Sequence, residues 1–287
     1  MAETIGMLSS DAYSPAQIEE KVEKLGVSKA RMRFLPTFML AVVAGGSIGL
    51  GAMFFAIVLS DVTLGFAAQR VLGGLVFSLG LVLVIIGGAE LFTGNCLIVM
   101  AWCNGQIRTR EVARNWTLVW LGNFVGALGL VFLLIMAHLG DLNNGGVRTA
   151  LLKLAVGKIQ PDMLTIFFRG ILCNLLVCLA VWLSYAGHSV VDKIAGMVLP
   201  IACFVAAGFE HSVANMFFLP MAWVLMLTGP VPAGLDVSAL TLAGIAHNLI
   251  PATLGNIVGG GGFVGFTYWA IYRKHPGDLA PLPAARR

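Results

Sequence analysis

The sequence predicts an all-α integral membrane protein with six transmembrane helices in an inverted 3+3 repeat, two of the helices being broken. Three observations predict it. The chain of 287 residues is 58% hydrophobic and only 11% charged, against about 25% charged in an ordinary soluble domain. Charge-free runs at 34–59, 116–137 and 249–272 each exceed the roughly 20 residues that cross a bilayer as a helix. One polar pattern also occurs twice, 120 positions apart, inside two over-long apolar segments.

Taken in order, residues 1–33 form a cytoplasmic N-terminal amphipathic region. They are too polar for a cleavable signal peptide. Ser14, Pro15 and Gln17 supply a capping hydroxyl, a first-turn proline and a capping-box partner, so a short surface helix starts there. Residues 34–275 form the transmembrane domain, with segments near 34–59, 70–102, 112–138, 163–186, 194–227 and 244–272. Residues 276–287 form a flexible cytoplasmic tail. The second and fifth segments are too long for one span: about 32 residues of helix reach ~48 Å, well beyond a hydrocarbon core of about 30 Å. Irregular backbone at that depth is tolerated where it lines a cavity or packs inside protein, so each of the two divides into a pair of half-helices.

Lys and Arg orient the chain. Thirteen fall in the N-terminal region, the 2–3 and 4–5 loops and the tail; five fall on the other side, at Arg70, Arg148, Lys153, Lys158 and Arg169. The excess places both termini in the cytoplasm. The five cysteines lie in or beside apolar runs without metal-ligand spacing. They read as small buried hydrophobes, and neither a metal nor a cofactor is expected.

The two interruptions match. Gly88-Ala89-Glu90 followed by Gly94-Asn95 is answered by Gly208-Phe209-Glu210 followed by Ala214-Asn215. "LGNFVG" at 121–126 recurs as "LGNIVG" at 254–259. An odd number of spans per half makes the halves insert in opposite directions, with a site near the midplane where the breaks meet.

Glu90 and Glu210 are the acids inside the spans, where a carboxylate must be neutral, or paired and hydrogen-bonded. Their repeat-related placement favours bracing the backbone of each break over chemistry. His211 is different: its repeat counterpart is Leu91. An asymmetric imidazole in a symmetric frame is the better candidate for moving a proton near neutral pH. Thr93 offers a hydroxyl in the other break. Asn174 and Asn256 lie within spans, where amides bond across helices. Phe77, Phe92 and Phe204 flank the breaks; packing is their ordinary role, and a pore would make them gates.

These stretches together resemble the formate/nitrite transporter family: "GGAELFTGN" at 87–95, "RNWTLVWLGNFVGAL" at 114–128, "GILCNLLVCLAVW" at 170–182, "GFEHSVANMFFLPM" at 208–221 and "NLIPATLGNIVGGG" at 248–261. The resemblance spans about residues 10 to 275. It implies an aquaporin-like fold, a homopentamer in the cell inner membrane, and a pathway for small monovalent anions through each subunit. It implies no enzymatic activity and no nucleic-acid partner. By matching motif, Thr93 and His211 form the central site. Phe77 and Phe204 constrict it toward the outside; Leu81, Leu91 and Phe92 constrict it around the first break. Lys158 draws anions inward, and Asn174, Asn256 and Glu210 match further family positions. On this reading His211 gives a proton to an anion that has lost its hydration. Gly94, where formate channels carry serine, and "LAGIAHNL" at 242–249 lean toward nitrite and hydrosulfide relatives. "NLIPATLGNIVGGG" and "FFLPM" lean toward formate. A neutral-solute pore would carry Asn-Pro-Ala at each break, which neither has. A membrane enzyme would need a metal cluster or nucleophile dyad near the midplane.

Overall fold

A computed structural model describes residues 12–274, and they are helical almost throughout. Helix α1 (Pro15–Arg31) opens on the expected capping box: the Ser14 amide donates to Gln17 Oε1 at 2.9 Å, and Ser14 Oγ accepts from the Gln17 amide at 3.4 Å. Helices α2 (Phe34–Leu59) and α3 (Phe66–Gly87) follow. A short 3₁₀ turn, Gly94–Ile98, leads into α4 (Val99–Cys103). Then come α5 (Thr109–Met136), α6 (Gly146–Ile159), α7 (Met163–Ala186), α8 (Val190–Ala207), α9 (Ser212–Thr228) and α10 (Leu242–Ile257), the last continued by π-helical turns over Val258–Phe266. The expected tail, 276–287, lies outside the described residues.

Six of these helices are long and apolar enough to cross a membrane: Phe34–Leu59, Phe66–Gly87, Thr109–Met136, Met163–Ala186, Val190–Ala207 and Leu242–Arg273. Large apolar side chains such as Phe132, Leu133 and Leu199 face outward, as a surface in contact with lipid requires. The second and fifth sequence segments are each divided, as their length demanded. Helix α3 stops at Gly88 (φ 71°) and α8 at Gly208 (φ 75°), a left-handed conformation that glycine adopts without the Cβ penalty.

Two expectations change. Helix α1 is amphipathic as expected but does more than lie at the surface: Ile18, Val22, Gly26 and Ala30 are buried on one face, which packs against the first break. The stretch before segment four also holds a helix that the count of six segments passed over. This is α6, with Val147, Leu151, Leu152, Ala155 and Ile159 buried and Lys158 at its end.

The two halves pack by the same contacts. A Cβ on Gly126 would come within 1.9 Å of the Val42 carbonyl oxygen, and one on Gly259 within 2.2 Å of the Ile171 carbonyl oxygen. Helix α5 therefore lies backbone-to-backbone on α2, and the α10 segment on α7, each through a glycine, the small-residue contact that membrane helices use.

Candidate functional site

The site forms where the two breaks meet, and a duplicated polar frame holds each break. In the first, the Glu90 amide donates to the Leu40 carbonyl at 3.2 Å; in the second, the Glu210 amide donates to the Arg169 carbonyl at 3.3 Å. Asn123 donates from Nδ2 to the carbonyls of Ala41 (2.8 Å) and Glu90 (2.9 Å) and accepts from the Phe92 amide (2.9 Å). Asn256 does the same with Gly170 (2.8 Å), Glu210 (2.9 Å) and the Ser212 amide (2.9 Å). These amides satisfy backbone groups that the breaks release from helical bonding, and an unmade bond at that depth costs several kcal/mol.

Both carboxylates are paired, one of the two conditions set for an acid at this depth. Lys29 Nζ lies 2.6 Å from Glu90 Oε1, and Asn95 Nδ2 donates to Glu90 Oε2 at 2.7 Å. Lys158 Nζ lies 3.1 Å from Glu210 Oε2, which also accepts from Asn215 at 2.6 Å and Asn248 at 3.2 Å. Asn115 ties Asn95 to the Lys29 carbonyl, and Asn248 ties Asn215 to the Lys158 carbonyl. Reading the residues one by one had singled out Glu90, Glu210 and Asn256, and the family resemblance had added Lys158. Both missed Lys29, Asn115, Asn123 and Asn248, although Asn115 with Asn123 and Asn248 with Asn256 share one spacing of eight.

Thr93 and His211 come together: Thr93 Oγ1 lies 3.1 Å from His211 Nε2, and both residues are buried. The frame fixes each partner. The Thr93 carbonyl accepts from Asn174 Nδ2 at 3.1 Å and from Cys178 Sγ at 3.4 Å, and Asn174 also donates to the Asn256 carbonyl. His211 is the N-cap of α9, its Nδ1 accepting from the Ala214 amide at 3.1 Å. An Nδ1 that accepts carries no proton, so the neutral ring holds its proton on Nε2 and donates it to Thr93 Oγ1. The Thr93 hydroxyl hydrogen is then free for a third partner.

The predicted constrictions divide between two small cavities. Phe77 and Phe204 meet edge to face, ring centres 5.7 Å apart, and Phe204 stacks on His211 at 5.6 Å. These three line one cavity of about 30 Å³ together with Lys158. Leu81 and Leu91 line a second of about 30 Å³, beside Lys29 and Asn95. Phe92 lies edge-on against Trp116, ring centres 6.4 Å apart, and lines neither of these cavities. Beyond the first cavity, a wider one of about 470 Å³ is lined by Arg70, Lys153, Lys158 and Arg169, with Glu210 as its one acid. The arrangement is a line of buried polar groups between apolar walls, with a lysine on each side.

The chain matches the model of the formate/nitrite transporter family over residues 16–270. It is 43% identical to the formate channel FocA of Escherichia coli (strain K12), covering 92% of this chain and 96% of that one. Against the formate channel FocA of Haemophilus influenzae it is 39% identical over 96% of this chain and all of that one. Among solved structures, a pentameric formate channel with formate bound superposes with a TM-score of 0.77 at 40% identity, covering 83% of this chain and 97% of that one.

Proposed function

This chain belongs to the formate/nitrite transporter family, a family of channels and transporters rather than enzymes, and from that premise we propose that it passes small monovalent anions, formate first, along the hydrogen-bonded pair of Thr93 and His211. The observation that carries the proposal is their 3.1 Å contact, buried where the two breaks meet. An anion entering past Phe77 and Phe204 loses water, and desolvation favours the neutral form of a weak acid. The Thr93 hydroxyl donates to the anion, backed by the Nε2–H of His211.

For His211 to act as an acid its ring must first take a second proton, at Nδ1. That proton would face the Ala214 N–H and displace the cap. The relay thus runs through three states of one ring: capped and neutral with its proton on Nε2; uncapped and charged with protons on both nitrogens; and, once the Nε2 proton has passed through the Thr93 hydroxyl to the anion, neutral with its proton on Nδ1. The last returns to the capped form when Nδ1 loses that proton and Nε2 regains one. The neutral acid then crosses the second constriction and releases its proton to water. Lys158 and Lys29 stand on the two sides of this step.

The sequence and hydrogen bonds of the two halves support an inverted repeat, and the solved relative described as pentameric supports five such subunits, each with its own pathway. The Lys and Arg distribution supports cytoplasmic termini, and membership of the family supports placement in the inner membrane. Gly94 favours a second reading, nitrite or hydrosulfide. Its missing Cβ would touch only Val181, at 3.6 Å, so a serine fits there, and its absence takes a hydroxyl from the inner cavity.

Labelled formate uptake into proteoliposomes, competed by nitrite or hydrosulfide at pH 5.5 and 7.5, tests the proposal. Formate uptake that is weakly competed and faster in acid is expected. Efficient competition moves the assignment to the second reading, and absence of any anion flux contradicts both.

A further inference from the structure

Of the five cations assigned to the side opposite the termini, four line the one cavity of about 470 Å³: Arg70, Lys153, Lys158 and Arg169. The fifth, Arg148, is engaged elsewhere, donating to the Leu225 carbonyl at 2.6 Å. The ion pair with Glu210 spends the charge of Lys158. What makes this mouth positive is therefore Arg70, Lys153 and Arg169, and among the described residues none of the three has a carboxylate partner.

Arg70 stands at the junction. It lines both the wide cavity and the 30 Å³ cavity beneath Phe77 and Phe204. Its Nε donates to the Ala206 carbonyl at 2.8 Å, which fixes the plane of the guanidinium. Its Nη2 lies against Gly208, 2.7 Å from where a Cβ would stand, on the backbone that leads to His211. Among the described residues, neither Nη group donates to a protein acceptor. The site is also one-sided. The repeat offset of 120 that carries Glu90 onto Glu210 places Val190 opposite Arg70, and the offset of 129 that carries Lys29 onto Lys158 places Leu40 opposite Arg169.

We propose that the two Nη groups of Arg70 form a binding station for a planar monovalent oxyanion, a carboxylate above all, between the wide mouth and the aromatic constriction, with Lys153 and Arg169 raising the local anion concentration. A guanidinium held at Nε presents a fork that fits two carboxylate oxygens and gains much less from a one-atom anion such as hydrosulfide. The inference rests on the anion-pathway reading above, and it adds a selecting residue that the repeat does not duplicate.

The test uses the full-length protein in planar bilayers, with formate or hydrosulfide added to one side at a time. In Arg70→Gln, the half-saturating formate concentration rises about tenfold from one side only, the loss of one of the two charge-assisted bonds while the glutamine amide donates in place of the other, and maximal flux changes less than twofold. Half-saturation by hydrosulfide moves less than threefold. Arg70→Lys recovers the hydrosulfide value but not the formate value. A half-saturation for formate within twofold of wild type, or equal shifts for both anions, would overturn the station and leave Arg70 as a tie for the Ala206 carbonyl. Should Arg70→Gln fail to assemble, Lys153→Gln with Arg169→Gln, side chains without hydrogen bonds to the described fold, must raise the formate value at least threefold; an unchanged value rejects the mouth. Line broadening of ¹³C-formate by the detergent-purified protein separates the two readings. Arg70-dependent broadening without flux keeps the station and rejects transport. Flux with Arg70-independent broadening keeps transport and rejects the station. Neither broadening nor flux rejects both.

Discussion

At the scale of residues, the buried ion pairs decide how the breaks stand. Glu210 is 1% exposed and Lys158 9%, so removing one partner strands a charge at membrane depth. A broken buried pair typically costs about 3–5 kcal/mol, whereas replacing both partners by apolar groups costs far less. Glu210→Gln is therefore expected to lower the thermal unfolding temperature of the detergent-purified protein strongly. Glu210→Met with Lys158→Met is expected to lower it less than either single change; additive losses would show that the pair is not coupled. Much of this was legible in the sequence: two acids inside spans at one offset had to be neutral or paired, and they are paired. The partner Lys29 was not legible, because it sits 61 positions before Glu90 in a helix that composition presents as surface. His211 was legible as the asymmetric member of the repeat. Its second job was not, because the Ala214 N–H needs a cap only once α9 is known to begin at Ser212.

At the scale of elements, the breaks depend on two glycines in the left-handed region. Gly88→Ala meets open space at φ 71° and carries only the conformational cost, roughly 1–2 kcal/mol. Gly208→Ala adds a clash with Arg70 Nη2. The end of a long side chain can move aside, so the second substitution is expected to cost about as much stability as the first in thermal melts but, by displacing the guanidinium, to impair formate half-saturation as well; an unchanged half-saturation in Gly208→Ala would contradict the packing described. Helix α1 carries a pH dependence of its own. Burial, with the Glu23 carboxylate beside it, pushes the Glu19 carboxyl up to about 7, against the opposing pull of Arg273, which pairs with both acids. A raised carboxylate pKa opposes docking of α1 increasingly as pH climbs from about 4.5 to about 7, and not below. Amide hydrogen exchange of α1, corrected for intrinsic rates, is expected to show more protection at pH 5 than at pH 7.5, and Glu19→Gln to remove the difference. Equal protection in wild type would refute it. Helix α6 was readable too, since Val147, Leu151, Leu152, Ala155 and Ile159 share one helical face. A search by span length passes over 14 residues carrying three cations.

At the scale of the molecule, two like halves are each built on the same glycine contact and the same hydrogen-bond frame, meet at Thr93, Asn174 and His211, and differ where an anion would pass. Leu91 faces the repeat position of His211, Val190 that of Arg70, and Leu40 that of Arg169. Symmetry builds the scaffold, and departures from symmetry make a site with two unlike ends. The span count and the doubled break were legible because membrane depth forces both. The meeting of Thr93 with His211, 118 positions apart, was implied by family resemblance and took its geometry only from the fold. The central claim is that the anion passes this pair and exchanges a proton with the ring. Its most direct test is formate flux across pH 5 to 8 in wild type, His211→Asn and His211→Phe. Asparagine keeps the cap of α9 and does not titrate; phenylalanine removes both. The account predicts that His211→Asn stays folded and conducts formate with a flat pH profile, whereas wild type is steeper and faster in acid. A wild-type profile retained in His211→Asn would contradict the relay and leave His211 as the cap of a helix.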